Sequence, residues 1–372
     1  MDRTDATAAT PARDSFPKEA LRLSNAMRLT GRQLTGLALF AAAIILGVPP
    51  VWERLEPLDT GTDYRLPYAL SHDYWLYARL AAAAADRYDT LLLGDSVVWG
   101  PYVRRGQTLS HYLNAQAGSE RFANLGVDGM HPVALAGLVE HYAGGIAGRR
   151  VVLHCNPLWM SSPRLDLQGD GEFRFNHPAL VPQFVPRIPG YRETASRRIG
   201  CVVERNVPFL QWAGHLQQAY FEQRSIPEWI LEHPFANPLA AVTLALPPSD
   251  DRLHRRPVPW TEQGILPQDF AWVDVETSFQ WAFFRRAMEM LRARGNRVFV
   301  LVGPFNEHLL TARGREGYAR VRDGIASWLA AEGVEHAVPP ALPSGLYADA
   351  SHPLAEGYAE LARRLGGLPF FQ

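Results

Sequence analysis

The sequence predicts an α/β fold in which an open, parallel, five-stranded sheet is covered by helices on both faces. Two observations lead to this prediction. From about residue 70 onward, short apolar segments that end at turn residues alternate with apolar stripes at helical spacing. The composition also suits a packed core, because 47% of the 372 residues are hydrophobic. In sheets of this kind, ligands bind beyond the carboxyl ends of the strands.

Four segments have the composition of buried strands, since each is short and apolar and a turn residue lies close behind it. They are Thr90–Leu93, Phe122–Leu125, Val151–Leu153 and Arg297–Val302. Val334–Val338, after the third helical stripe, is the candidate for a last strand. Between or after them, helical stripes lie at about 135–142, 279–291, 318–329 and 358–365.

Residues 33–52 carry no charge and are long enough, at the rise of a helix, to cover about 30 Å of hydrocarbon. Arginines precede this run, whereas acidic residues accompany the arginines that follow it. This bias in positive charge predicts a cytoplasmic tail at 1–32 and an extracytoplasmic domain after the run. The run itself is predicted to be a single uncleaved anchor in the inner (cytoplasmic) membrane. A cleaved signal peptide and a buried core helix are the alternatives. The long segment before the run disfavours the first, and the lack of a polar face disfavours the second.

After the anchor, residues 53–69 are predicted to be a linker and residues 70–372 one domain. The strand and helix pattern stops between residues 157 and 275, where proline and aromatic residues are dense. We interpret that stretch as an insertion with short elements of its own, because so long an unstructured loop is uncommon in a compact domain. Its one long helical pattern, Arg192–Arg224, is interrupted at Pro208.

The composition excludes some classes of partner. With a net charge of −1, the chain has no overall field to attract nucleic acid. Cys155 and Cys201 are too few for a disulfide framework, and whether they pair is left open. The histidines lack the spacing of metal ligands, so we expect neither a metal nor a cofactor.

The strongest chemical signal is a serine at a predicted strand end together with a distant histidine. Gly94-Asp95-Ser96 follows the first predicted strand, and Asp349 stands three residues before His352. A serine hydroxyl is a weak nucleophile that needs a neighbouring base, and the base needs a group that fixes its tautomer. The chain contains all three groups.

These segments resemble those of the SGNH hydrolases, also called GDSL-like esterases. The resemblance covers about 90–160 and 297–366 and leaves out the insertion. It implies a flavodoxin-like sheet with Ser96 as nucleophile, His352 as base and Asp349 as the residue that orients it. The backbone N–H of the nucleophile would also face the oxyanion.

Two further segments are similar to blocks of this family. The segment ending at Gly129 resembles the second block, whose last glycine donates its backbone N–H to the oxyanion. The third block, Gly-x-Asn-Asp, corresponds to residues 154–157, which implies an oxyanion role for Asn156. Here His154 replaces the glycine and Pro157 replaces the aspartate, so only the asparagine matches.

Asn306 and Glu307 follow the fourth predicted strand, so we expect them at the rim of the site. They are candidates for substrate contacts. The alternative is a loop start with exposed polar groups.

The sequence therefore favours a membrane-anchored serine esterase or O-acyltransferase that works through an acyl-Ser96 intermediate. By analogy with anchored members of the family, the substrate is an acetyl or other short acyl ester of a cell-envelope or exported polysaccharide, with a membrane-bound O-acyltransferase as a possible partner. One alternative is a lipid esterase or lysophospholipase. Another is a non-catalytic protein that binds a glycan or a partner protein.

Overall fold

The structure, a computed structural model, describes residues 29–372. The chain divides into two compact units, Met1–Pro50 and Val51–Gln372, and each is described by itself. Of the predicted tail, residues 1–28 lie outside the described residues.

A long apolar helix, α1, covers Gly31–Leu55 and contains the predicted anchor. The Thr30 hydroxyl accepts a hydrogen bond from the Gln33 N–H at 3.4 Å and so caps the first turn. In the described part of the chain, α1 is the one helix long and apolar enough to cross a bilayer. By length and composition it could therefore anchor the protein to a membrane.

The second unit is built on an all-parallel sheet of five strands in the order β2-β1-β3-β4-β5. The strands are β1 (Thr90–Gly94), β2 (Phe122–Gly126), β3 (Arg150–Cys155), β4 (Arg297–Val302) and β5 (Glu335–Ala337). The prediction of a parallel five-stranded α/β fold is confirmed. The strand order reverses between β1 and β3. In open parallel sheets the ligand-binding crevice forms at such a reversal, so the carboxyl ends of β1 and β3 are where a site is expected.

Eleven further helices follow α1 in the chain. They are α2 (Tyr74–Arg87), α3 (Ser96–Trp99), α4 (Leu109–Ala117), α5 (Pro132–His141), α6 (Ala195–Asn206), α7 (Pro208–Tyr220), α8 (Ile226–Glu232), α9 (Pro238–Ala241), α10 (Phe279–Ala293), α11 (Ala312–Ala331) and α12 (Ala355–Gly366).

Helices cover both faces of the sheet. Alternate side chains of a strand point to opposite faces, so Leu91 and Leu93 of β1 pack into one apolar cluster and Leu92 into another. The first cluster joins the sheet to α2, α5, α10 and α11. The second joins it to α4 and α12.

The segment predicted as a linker, residues 53–69, packs into the domain instead of forming a free connection. Glu56, Arg65 and Leu66 are buried. The Arg65 guanidinium donates hydrogen bonds to the carbonyl oxygens of Gly100 at 2.7 Å and Asp250 at 2.9 Å. These partners lie far away in the sequence, which is why local composition did not reveal the packing.

The predicted insertion contains helices α6 to α9. The helical pattern that was predicted to break at Pro208 forms two helices, and Pro208 is the first residue of α7, where proline is tolerated. Cys201 on α6 and Cys155 at the end of β3 are both free and buried. The two do not form a disulfide.

Candidate active site

The predicted nucleophile lies directly beyond the carboxyl end of β1. Asp95 caps the short helix α3 by accepting a hydrogen bond from the Val97 N–H at 2.9 Å, and Ser96 is the first residue of that helix. A strand that turns at once into a helix fixes the direction of the serine side chain.

His352 connects the serine to a carboxylate. Its Nε2 lies 2.8 Å from Ser96 Oγ, and its Nδ1 lies 2.8 Å from both carboxylate oxygens of Asp349. Asp349 Oδ1 also accepts the backbone N–H of His352 at 2.9 Å, and Tyr102 donates its hydroxyl proton to Oδ2 at 3.0 Å. The structure therefore places Ser96, His352 and Asp349 in the arrangement that serine catalysis requires.

The electrostatics of His352 and Asp349 suit a histidine that accepts a proton. Burial disfavours the charged imidazolium, but the carboxylate of Asp349 and its hydrogen bond outweigh burial and raise the pKa of His352. Burial also opposes ionisation of Asp349, yet the neighbouring imidazole and the backbone N–H donors hold the pKa of this carboxyl well below its usual range. Asp349 thus stays charged and stabilises the protonated form of His352.

Neither the backbone N–H of Ser96 nor that of Gly129 has an acceptor among residues 29–372. Gly129 has φ of 73°, a conformation that other residues rarely adopt. A Cβ there would lie 2.7 Å from the side-chain nitrogen of Asn176. Glycine therefore suits this position both by its backbone conformation and by the closeness of Asn176. The oxyanion role that the resemblance implies for its N–H stays a prediction.

Asn156 has a different environment from the expected one. Its side-chain nitrogen donates to Asp95 Oδ2 at 2.8 Å and to Ser351 Oγ at 3.4 Å, and its oxygen accepts the Leu158 N–H at 3.1 Å. Both amide hydrogens are thus directed at protein acceptors. One of them would have to be redirected to reach an oxyanion.

The carboxylate of Asp95 organises this side of the site. Besides Asn156, it accepts the indole N–H of Trp159 at 2.9 Å, and it lies 3.2 Å from His154 Nδ1. Burial raises the pKa of Asp95, but the charge of His154 and these hydrogen bonds outweigh burial and lower it to about 2. His154, which stands in place of the family glycine, is held from its other side by the Gly303 carbonyl at 2.9 Å.

Asn306 and Glu307 both make contacts within the protein. Asn306 is fully buried, and its amide donates to the Asp349 carbonyl at 3.1 Å. Glu307 faces Arg322 at 3.4 Å. Asn306 therefore supports the loop that carries the carboxylate.

Sequence reasoning missed three contacts in the site. They are the hydrogen bond from Tyr102 to Asp349 and the hydrogen bond from Trp159 to Asp95. The third is the closeness of Asn176, an exposed residue of the insertion, to Gly129. Nothing in the local sequence of these residues indicates such contacts. Within residues 29–372, no group of three or more His, Cys, Asp or Glu side chains is arranged to hold a metal ion.

The comparisons with known proteins add no assignment. No protein-family model matches the chain, and no curated protein matches it.

Proposed function

We propose that this chain is a membrane-anchored serine esterase or O-acyltransferase of the SGNH type. The observation that carries the proposal is the position of His352 between Ser96 Oγ and the Asp349 carboxylate, at 2.8 Å from each. Such an arrangement activates a hydroxyl nucleophile. The strand order is flavodoxin-like, and Ser96 follows β1, where the order reverses. This position also supports the proposal, because ligands bind at such a reversal in open parallel sheets.

The first half-reaction transfers an acyl group to the enzyme. Ser96 Oγ attacks the ester carbonyl while His352 Nε2 takes the hydroxyl proton, and the carbonyl oxygen becomes an oxyanion. The N–H groups of Ser96 and Gly129, for which residues 29–372 provide no acceptor, are the proposed donors to that oxyanion. The tetrahedral intermediate then loses the alcohol, which receives its proton from His352, and an acyl-Ser96 ester remains.

In the second half-reaction, hydrolysis and transfer differ only in the acceptor of the acyl group. His352, now neutral, removes a proton from water or from a sugar hydroxyl, whose oxygen attacks the acyl-Ser96 carbonyl. Water gives a carboxylic acid, whereas a sugar hydroxyl gives a new ester. Both routes return the proton to Ser96 Oγ through His352.

The proposed substrate is a short acyl ester, such as acetyl, on a cell-envelope or exported polysaccharide. Ser96 and His352 are only 8% and 6% exposed, which suits a small acyl group. The proposed location follows from α1 and the positive charges before it: one span of the inner membrane with the catalytic domain outside. A membrane-bound O-acyltransferase is the proposed partner protein when the reaction is a transfer.

The test uses the full-length chain in detergent and follows hydrolysis of a chromogenic acetyl ester. Ser96→Ala should abolish turnover above the uncatalysed rate, because no other hydroxyl lies against His352 Nε2. Ser119→Ala, at an exposed serine outside the site, is the matched control and should keep wild-type activity.

Equal turnover by wild type and Ser96→Ala would refute the esterase proposal. If the wild type releases no alcohol but transfers acetyl to an added polysaccharide acceptor, the transferase form holds. If neither reaction occurs in the folded protein, the non-catalytic alternative replaces both.

A further inference from the structure

The insertion carries an outward-facing set of large apolar side chains on α8, α9 and the turn between them. Phe235 is fully exposed, with 101% of its reference surface, and Leu239 and Leu231 are 81% and 79% exposed. Ile230 is exposed beside them. We call Ile230, Leu231, Phe235 and Leu239 the outer apolar face. Soluble surfaces seldom cluster such side chains without a partner.

The inner side of the same helices packs around a tryptophan at the end of the predicted span. Tyr220, Phe221 and Trp229 form a buried cluster to which Trp52 contributes. The ring centroids of Trp52 and Tyr220 are 6.4 Å apart, and those of Trp52 and Trp212 are 5.4 Å apart. The insertion is thus tied directly to Trp52.

Trp52 has a defined position when the predicted span crosses a bilayer. It is the last residue of the charge-free run 33–52, so chain connectivity puts it at the boundary between hydrocarbon and water. Tryptophan and tyrosine are enriched at this boundary, and this cluster contains several of them. Helices that pack on Trp52 must lie near the same boundary.

We propose that the outer apolar face inserts into the lipid headgroup region of the bilayer that α1 spans, as a second membrane contact. The proposal rests on the anchor given under the proposed function. The contact with Trp52 places the insertion at the boundary between hydrocarbon and water. The exposed side chains of Phe235, Leu231 and Leu239 on the insertion are the ones that would enter the headgroup region. Interfacial segments bury their apolar face by about 5–10 Å.

The charges nearby indicate that the contact is apolar and not electrostatic. Glu228 and Glu232 are exposed on α8, and no lysine or arginine occurs between residues 225 and 251. Arg224, which directly precedes this segment, forms an ion pair with Glu232. Anionic lipid therefore offers this segment no attraction. A protein partner or a second copy of the chain is the competing occupant.

The test places the full-length chain in nanodiscs made of phosphatidylcholine and phosphatidylglycerol. An environment-sensitive fluorophore is attached at Phe235→Cys or, as the matched control, at Leu266→Cys, another exposed apolar residue far from Trp52 in the sequence. The native cysteines are buried, so the unsubstituted chain should take up no label. Lipids with a spin label near the headgroup serve as the quencher.

The expected result is at least about twofold quenching at position 235, little quenching at 266, and no loss of quenching in high salt. Equal quenching at both positions, or none at 235, overturns the proposal, and the face then belongs to a protein partner. The anchor is tested separately: release of the chain from membranes by alkaline carbonate would refute anchor and contact together. A retained chain without quenching at 235 refutes the contact alone.

Discussion

At the scale of single residues, His154 stands at a position where the SGNH hydrolases that the sequence resembles have glycine. The side chain of His154 is accommodated because Gly94 has none: a Cβ on Gly94 would lie 2.7 Å from that of His154. The ring then uses one nitrogen for the Gly303 carbonyl and turns the other toward Asp95. Asp95 and His154 thus form a second buried acid and imidazole pair, and its carboxylate belongs to the residue next to Ser96 in the chain.

The raised pKa of His352 predicts the pH dependence of activity. Only neutral His352 can take the proton of Ser96, so kcat/KM should fall about tenfold per pH unit below that pKa. Because Asp349 raises the pKa of His352, the midpoint of this fall should lie above about 6.5, the ordinary imidazole value.

The measurement is kcat/KM for an uncharged acetyl ester between about pH 5 and 9, with Ser96→Ala giving the uncatalysed rate at each pH. Tryptophan fluorescence recorded in the same buffers identifies any pH at which the fold is lost. A flat profile across that range would remove His352 from the role of base.

At the scale of elements, a buried ionic cluster joins the end of α1 to the rest of the second unit. Both ring nitrogens of His215 on α7 face carboxylates: Asp73 Oδ2 at 2.6 Å and Glu56 Oε1 at 2.9 Å. Arg79 on α2 and the Tyr220 hydroxyl also bind Glu56. Since carboxylates only accept, the imidazole must donate from both nitrogens and is therefore protonated.

This cluster should stabilise the fold over a defined pH range. Burial opposes the charge on His215, but Asp73 and Glu56 raise its pKa to about 9, so its contribution is complete below about pH 6.5 and is lost as pH rises through about 9. Burial likewise opposes ionisation of Glu56, yet the bond to His215 lowers its pKa to about 2. Its contribution is complete above about pH 4.5 and is lost only as pH falls through about 2.

Glu56→Gln should cost about 3–5 kcal/mol of unfolding free energy near pH 6, because it leaves buried charges without a partner. The cost should shrink toward pH 9 as wild type itself loses the cluster. The melting temperature of the full-length chain in detergent, followed by tryptophan fluorescence, reports the difference. Glu53→Gln, one turn earlier on α1 and exposed, is the matched control. A pH-independent difference between Glu56→Gln and wild type would contradict the titration of His215.

At the scale of the whole molecule, the sheet was predictable and the long-range packing was not. The central strands β1, β3 and β4 are largely apolar runs, a local signal that strands buried on both faces of a parallel sheet leave in the sequence. The Ser96, Asp349 and His352 arrangement was predictable from motif and spacing. The burial of Arg65 and the bond from Tyr102 to Asp349 were not, because their partners lie 185 and 247 residues away.

The proposed orientation in the membrane gives a whole-molecule prediction. A membrane-impermeant maleimide should label Leu266→Cys in intact spheroplasts, because the second unit is proposed to lie outside. Ser15→Cys in the tail should be labelled only after permeabilisation. Labelling in the reverse order would invert the topology and place the esterase chemistry in the cytoplasm.

The separation of Ser96 from His352 also has a consequence for biosynthesis. The two side chains that meet at 2.8 Å are 256 residues apart, and the sheet between them has to be completed by β4 and β5 before they meet. During synthesis, the hydroxyl of Ser96 is therefore present long before His352, its proposed base, has been added to the chain. A chain cut short within that interval lacks the proposed base, so the proposed reactivity toward esters is acquired only when the fold is complete.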